Sequence, residues 1–331
     1  MYWSSAGPSE IRCHLCPHEC LIREGQSGVC KVRVNQGGGL FSLVNGQWAA
    51  IHTDPVEKKP LYHFYPGRRV LSVGTRGCNL RCSFCQNHML SQYDSTATGH
   101  ETTMVPEELV RLALSVEENT GIAYTYNEPT IFYEFMLDTA LKAHHAGLKN
   151  VAVTNGFINV EPLRELLPVM DAFNVDLKAF SDHFYRRMTG GRLAPVLETL
   201  KTIASSGVHM EITMLVIPTL NDSEEEFREL TDWISSALGP HIPLHLSRYF
   251  PAWKLDLPPT PVVTLDRFAA IASEKLQYVY IGNVGVSRYS STFCPACGNE
   301  VIQRKGYQTE IIGLLPGGIC KKCGYRLTGI F

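Results

Sequence analysis

The sequence predicts an α/β fold: a partial, TIM-like (β/α)6 barrel with small cysteine-rich, metal-binding appendages at both termini. Three observations carry this. Between about residues 70 and 284, short β-branched runs alternate with longer helical stretches. Polar residues gather where those runs end. Outside them, the flanks change texture and become rich in Cys and Gly.

In chain order the strand candidates are "RVLSVG", "IAYTYN", "NVAVTNG", "AFNVDLK", "HMEITMLVIP", "PLHLSRYF" and "YVYIGNV". Between them lie "VPEELVRLALSVEENTG", "TIFYEFMLDTALKAHHAG", "VEPLRELLPVM", "LAPVLETLKTIASSG", "SEEEFRELTDWISSALG" and "TLDRFAAIASEKL", read as helices. Gly147, Gly207 and Gly239 close three of these in the left-handed turn that favours glycine. Asn221, Asp222 and Ser223 offer N-caps for the fifth. Strict alternation implies right-handed crossovers and a parallel sheet, and about six such units suit a curved, incomplete barrel as well as an open doubly wound sheet. No G-x-G-x-x-G follows the first strand, which argues against a dinucleotide-binding fold.

The expected divisions are residues 1–50, a cysteine-rich metal-binding segment; 55–285, the barrel core; and 290–331, a zinc-ribbon-like segment. In the first, "NQGGGLFSLVNG" reads as a hairpin. A net charge of −2 argues against a surface that coats nucleic acid generally. The opening "MYWSSAGPSEIRCHLC" has no apolar run of the signal-peptide kind, and no apolar stretch reaches the roughly 18 residues of a membrane helix. A cytoplasmic location is therefore expected.

The 11 cysteines fall into three sets with none left over. Cys13, Cys16, Cys20 and Cys30 form one, Cys78, Cys82 and Cys85 the second, and Cys294, Cys297, Cys320 and Cys323 the third. In a reducing compartment such spacing points to metal rather than disulfides. Two C-x2-C knuckles, each followed by Gly (Gly298, Gly324), suit a closed structural zinc site; a rubredoxin-like single iron uses the same geometry. The N-terminal four, less regularly spaced, suit zinc or an auxiliary iron–sulfur cluster. The group of three stays open. A four-iron cluster usually takes four thiolates, so three leave one iron free for a non-protein ligand. Zinc with His88 as fourth ligand is the competing reading.

"TRGCNLRCSFCQN", with its C-x3-C-x2-C spacing after the first strand, resembles the signature of the radical S-adenosylmethionine (radical SAM) superfamily. The resemblance implies a [4Fe-4S] cluster on Cys78, Cys82 and Cys85. It also implies S-adenosylmethionine (SAM) on the open iron, cleaved reductively to a 5′-deoxyadenosyl radical that abstracts hydrogen from substrate. "YNEPT" stands where the family has G-G-E-P, so Glu128 is expected at the methionyl ammonium, with Asn127 replacing a glycine. "VTNG" and "VDLK" resemble later SAM-binding stretches and nominate Asn155, Asp176 and Lys178, the last facing the carboxylate. His245, placed at a strand end, resembles a ribose-contacting histidine, with a satisfied core histidine as the alternative; Phe84 is the expected aromatic near adenine.

Over nearly the whole chain, "CHLCPHECLIREGQSGVCKVR", "DPVEKKPLYHFYPG", "VIPTLND" and the terminal knuckles resemble the AmmeMemoRadiSam-system radical SAM enzymes, relatives of pyruvate formate-lyase activating enzymes. This implies an electron donor such as flavodoxin or ferredoxin, and work beside the system's other two protein families. Glycyl-radical activases often read D-T-N-G where this chain has Val153, so hydrogen abstraction from another, unidentified substrate is preferred to glycyl-radical activation. A third reading, RNA binding or modification, rests on Lys321, Lys322 and Arg326 with Tyr307 and Tyr325 near the knuckles.

Overall fold

The computed structural model describes residues 1–92, 101–285 and 287–331. Its centre is an eight-stranded sheet. In chain order the strands and main helices are β1 (Ala50–Pro55), β2 (Arg69–Gly74), α1 (Pro106–Ser115), β3 (Asn119–Tyr124), α2 (Tyr133–His145), β4 (Lys149–Thr154), α3 (Val160–Leu166), β5 (Ala172–Asp176), α4 (Leu193–Ser206), β6 (His209–Val216), α5 (Glu224–Trp233), β7 (Leu244–Arg248), α6 (Val262–Ala272) and β8 (Val279–Gly282). Seven strands, β2 to β8, run parallel; β1 pairs antiparallel to β2 along the edge.

The strands lie side by side in sequence order, without the reversal that a doubly wound sheet needs. Right-handed crossovers in one direction put every helix on the same face, and the sheet curves around the other. This is barrel-type winding, with more strands than six β/α units supply. The antiparallel β1 was not anticipated. "AIHTDP" alternates weakly and carries Pro55, which only an edge strand tolerates. The core sheet thus begins at Ala50, ahead of the boundary expected near residue 55.

Local rules account for the helix ends. Gly147 and Gly207 adopt φ of +80° and +78°, left-handed as expected. Gly239 instead follows a π-helical turn over Ile234–Leu238, at φ +111°. Ser223 is the N-cap of α5, accepting from the Glu226 amide, while Asn221 braces the preceding turn. Phe227 of α5 stacks on Phe268 of α6 with ring centroids 4.1 Å apart, locking two neighbouring helices over the sheet.

The two appendages sit at opposite ends of the strands. The N-terminal one combines a three-stranded antiparallel sheet (Trp3–Gly7, Glu10–Cys13, Leu21–Arg23) with a hairpin (Arg33–Gln36, Gly39–Ser42) at the expected "NQGGGL" turn. It meets the C-terminal ends: His18 Nε2 lies 2.7 Å from the Asn79 carbonyl, and the Asn159 amide donates to Leu15 O at 3.0 Å.

The C-terminal ribbon docks at the other end through "LYHFYPG". Phe64 bridges to Ile330, and Arg304 donates to the Tyr62 carbonyl at 2.7 Å. The amides of Tyr62 and His63 donate in turn to buried Glu211, near the start of β6. No helix among the described residues is long and apolar enough to cross a membrane.

Candidate active site at the barrel mouth

The loop after β2 carries Cys78, Cys82 and Cys85 over the C-terminal ends of the strands. All three line one cavity of about 240 Å³ together with Phe84, Asn127, Glu128, Asn155, Asp176 and Lys178. Residues at or just beyond the ends of six strands, β2 to β7, thus face a single space, which only a curved sheet allows.

Gly77 starts the loop at φ +94°; a Cβ there would stand 2.8 Å from Val32 and 2.9 Å from the Cys30 carbonyl. The entry is then clamped by Asn127. Its side-chain amide donates to Thr75 Oγ1 and Gly77 O, both at 2.9 Å, and its Oδ1 accepts from the Thr75 amide at 3.2 Å. The residue that replaces a family glycine therefore holds the cysteine loop to the third strand, and its side chain is spent on that task.

Glu128 is 1% exposed. Its Oε1 accepts from the Thr130 amide (3.0 Å), Thr130 Oγ1 (2.7 Å) and Thr154 Oγ1 (2.8 Å); its Oε2 accepts from the Asn155 amide at 2.8 Å. Burial holds its carboxyl above the usual range, against these hydrogen bonds. A carboxylate offers about four lone-pair positions, and Glu128 spends two hydrogen bonds on Thr130 in its own turn and two on Thr154 and Asn155, which join β3's end to β4's. The cavity meets the turn that Glu128 organises more than it meets a free carboxylate.

Asn155 extends the chain of contacts to the cysteines. Its side-chain amide lies 2.9 Å from Asn79 Oδ1 and 3.7 Å from the Cys78 sulfur, which also accepts from the Leu80 amide at 3.3 Å. Lys178 is 14% exposed and pairs with Asp176 at 3.0 Å. Burial works against its charge, but Asp176 and Cys82 outweigh burial and hold its pKa above the ordinary value. It is a fixed cation on the cavity wall. Phe84, 4% exposed, tilts against Phe184 with centroids 5.8 Å apart.

Two expectations are corrected. His245 is the second residue of β7, not a strand-end group. It is 4% exposed, bonds Glu211 through Nε2 at 2.6 Å, and stacks on Tyr280; it does not line the cavity. Ser247, two residues on and on the same strand face, does. His88 stacks on Trp253 and also lies off the cavity, so it does not complete a four-ligand zinc site. Thr213 and Leu215 on β6 were missed; they lie two apart on one strand face, so the strand's alternation groups them.

The donor set fits an iron–sulfur cluster. Burial raises the thiols of Cys78 and Cys82, the latter to about 12, so they ionise only against a strongly positive partner. In the ribbon, by contrast, the ligand atoms of Cys294, Cys297, Cys320 and Cys323 all lie within 4.8 Å of one another, a grouping for one ion.

Known proteins agree with this architecture. The Radical SAM superfamily family model matches residues 72–231. An uncharacterized protein of Methanocaldococcus jannaschii is 42% identical over 330 residues, 99% of this chain and 98% of that protein. The pyruvate formate-lyase-activating enzyme of Clostridium pasteurianum is 29% identical over 176 residues, 52% of this chain and 71% of that enzyme. Among solved structures, a radical SAM methyltransferase from Sphaerobacter thermophilus aligns over 72% of this chain and 71% of its own, with a TM-score of 0.52 and 19% identity, a likeness of fold. With the three cysteines, the curved parallel sheet and these matches together, the chain belongs to the radical SAM superfamily, which implies a [4Fe-4S] cluster and S-adenosylmethionine.

Proposed function

We propose that this protein is a radical SAM enzyme of the AmmeMemoRadiSam type, with Cys78, Cys82 and Cys85 as its cluster ligands. When bound, the cluster supplies the electron that cleaves SAM reductively, and the 5′-deoxyadenosyl radical so formed abstracts hydrogen from substrate. The observation that carries this is the single cavity shared by three thiols and six strand ends. Within it, the Asn127–Thr75–Gly77 contacts hold the loop, Lys178 presents positive charge to a carboxylate, and Phe84 offers an aromatic edge. The turn set by Glu128 supplies backbone groups for an ammonium.

The ribbon is a second, structural element in this reading. Its sulfurs pair at 3.6 Å (Cys294–Cys323) and 3.8 Å (Cys297–Cys320), close to the edge of about 3.8 Å expected for a zinc tetrahedron with Zn–S near 2.3 Å. It lies at the end of the strands away from the cavity, so its basic face does not serve the radical site in the same chain. That weighs against an RNA substrate delivered by the ribbon. Glycyl-radical activation is the second reading, favoured by the Clostridium pasteurianum relative; Val153 on the cavity wall, where those activases carry an acid, counts against it.

The test is anaerobic reconstitution with iron and sulfide, then SAM and dithionite. Wild-type protein should form 5′-deoxyadenosine, and the triple variant Cys78→Ala, Cys82→Ala, Cys85→Ala should not. Equal yields from both would overturn the assignment.

A further inference from the structure

The N-terminal cysteines are separated by 2, 3 and 9 residues, on and between strands of a small sheet, yet they converge. Cys13, Cys16, Cys20 and Cys30 all line one small cavity, closed by Leu15, Ile22 and Ile131. Its wall is built tightly: a Cβ on Gly28 would stand 3.3 Å from the Cys20 sulfur. The Val29 amide donates to that same sulfur at 3.4 Å. Four thiols around one cavity, with an N–H directed at the Cys20 sulfur, make a pocket for a metal centre.

The span of the sulfurs indicates which kind. One tetrahedral ion needs four sulfurs about 3.8 Å apart, as the ribbon provides. Among the described residues, the ribbon is the group whose ligand atoms gather within 4.8 Å of one another; the N-terminal four line one cavity without being grouped in that way. A polynuclear cluster puts each thiolate on a different iron and so requires the wider spacing. From this geometry we infer that Cys13, Cys16, Cys20 and Cys30 bind an iron–sulfur cluster of their own, in place of a single zinc ion.

The site backs directly onto the cavity loop. Asn79, next to Cys78, lines the N-terminal cavity as well, and the Cys30 carbonyl abuts Gly77. The N-terminal set thus packs against residues 77–79, the stretch that carries Cys78.

Iron analysis with Mössbauer and electron paramagnetic resonance spectroscopy on reconstituted full-length protein tests this. The wild type should hold about eight irons. The triple variant at Cys78, Cys82 and Cys85 should keep about four, with a reduced-state resonance of its own. A variant with Ser at Cys13, Cys16, Cys20 and Cys30 should also keep about four. If that variant misfolds by circular dichroism, Cys16→Ser alone should alter one of two reduced-cluster signals and leave the other. Finding no iron in the triple variant, with about two zinc ions per wild-type chain, would overturn the inference. Full iron in the triple variant and none in the N-terminal one would instead overturn the assignment at Cys78, Cys82 and Cys85 and leave this one standing.

Discussion

Asn155 and Cys78 meet across the barrel mouth: the side-chain amide of the first stands 3.7 Å from the sulfur of the second. The contact ties the end of the fourth strand to the proposed cluster ligand Cys78, on the loop after the second. An N–H aimed at a thiolate favours added negative charge on the centre that thiolate holds. Asn155→Ala should therefore make the cluster harder to reduce, seen as a more negative midpoint in a redox titration followed by paramagnetic resonance. An unchanged midpoint would mean the amide serves only Asn79.

Asn127 contributes three hydrogen bonds to the loop entry. Asn127→Gly restores the residue the family carries there but leaves Thr75 and Gly77 unpaired. At about 1 kcal/mol per hydrogen bond, thermal unfolding should come several degrees earlier. Proteolysis of the apo-protein should also begin between residues 75 and 85. Wild-type stability in the variant would show that the loop is held by packing alone.

Lys178 and Glu128 should behave differently. Lys178→Ala removes a fixed cation and should weaken SAM binding about tenfold or more, with the cluster's visible absorption retained. Glu128→Ala strands the Thr130 and Asn155 amides, so it should lower thermal stability and cluster content together. Isothermal titration with SAM, alongside iron analysis, separates the two. Loss of affinity alone in the Glu128 variant would show that its carboxylate contacts the ligand directly.

Glu211 governs the far end of the barrel. It is buried and accepts from the Tyr62 and His63 amides, with His209 and His245 bonded to its two oxygens. Burial alone would raise its pKa, but the histidine hydrogen bonds hold it well below the ordinary 4.5. A depressed carboxylate contributes stability that is complete above the unfolded value and is lost as pH falls through the folded one. Denaturation of wild type and Glu211→Gln should therefore show a constant gap from pH 7 to 5, closing only below about 4.5. A gap that closed between pH 7 and 5 would overturn this account.

Metal removal should separate the ribbon from the radical site. A chelator that strips the ion from Cys294, Cys297, Cys320 and Cys323 should loosen the ribbon's docking on Tyr62, His63 and Tyr280. It should leave 5′-deoxyadenosine formation intact, since the cavity lies at the opposite end of the strands. Product analysis before and after chelation checks this. Deuterium from a labelled substrate appearing in 5′-deoxyadenosine then identifies what meets the radical, and transfer from a glycine-labelled partner protein would favour glycyl-radical activation.

The sequence by itself determined the alternation of strands and helices and the three cysteine sets, while the sheet's strand order, and with it the barrel-type winding, came from the tertiary structure. Those signals are local: β-branched runs, glycine stops and thiol spacings act within a few residues. It also nominated Asn127, Glu128, Asn155, Asp176 and Lys178, because a strand's C-terminal end is readable from where its apolar run stops. His245 was misplaced for the same reason: "PLHLSRYF" extends further than its first apolar residues suggest, so the mouth belongs to Ser247. Only the tertiary structure decided how side chains divide their hydrogen bonds: Asn127 binds Thr75 and Gly77, and Glu128 accepts from Thr130, Thr154 and Asn155. It also decided that the ribbon caps the far end while the N-terminal cysteines press against the loop at residues 77–79. Those outcomes depend on contacts between residues far apart in the chain, such as Arg304 with Tyr62 and His18 with Asn79, which no local pattern encodes.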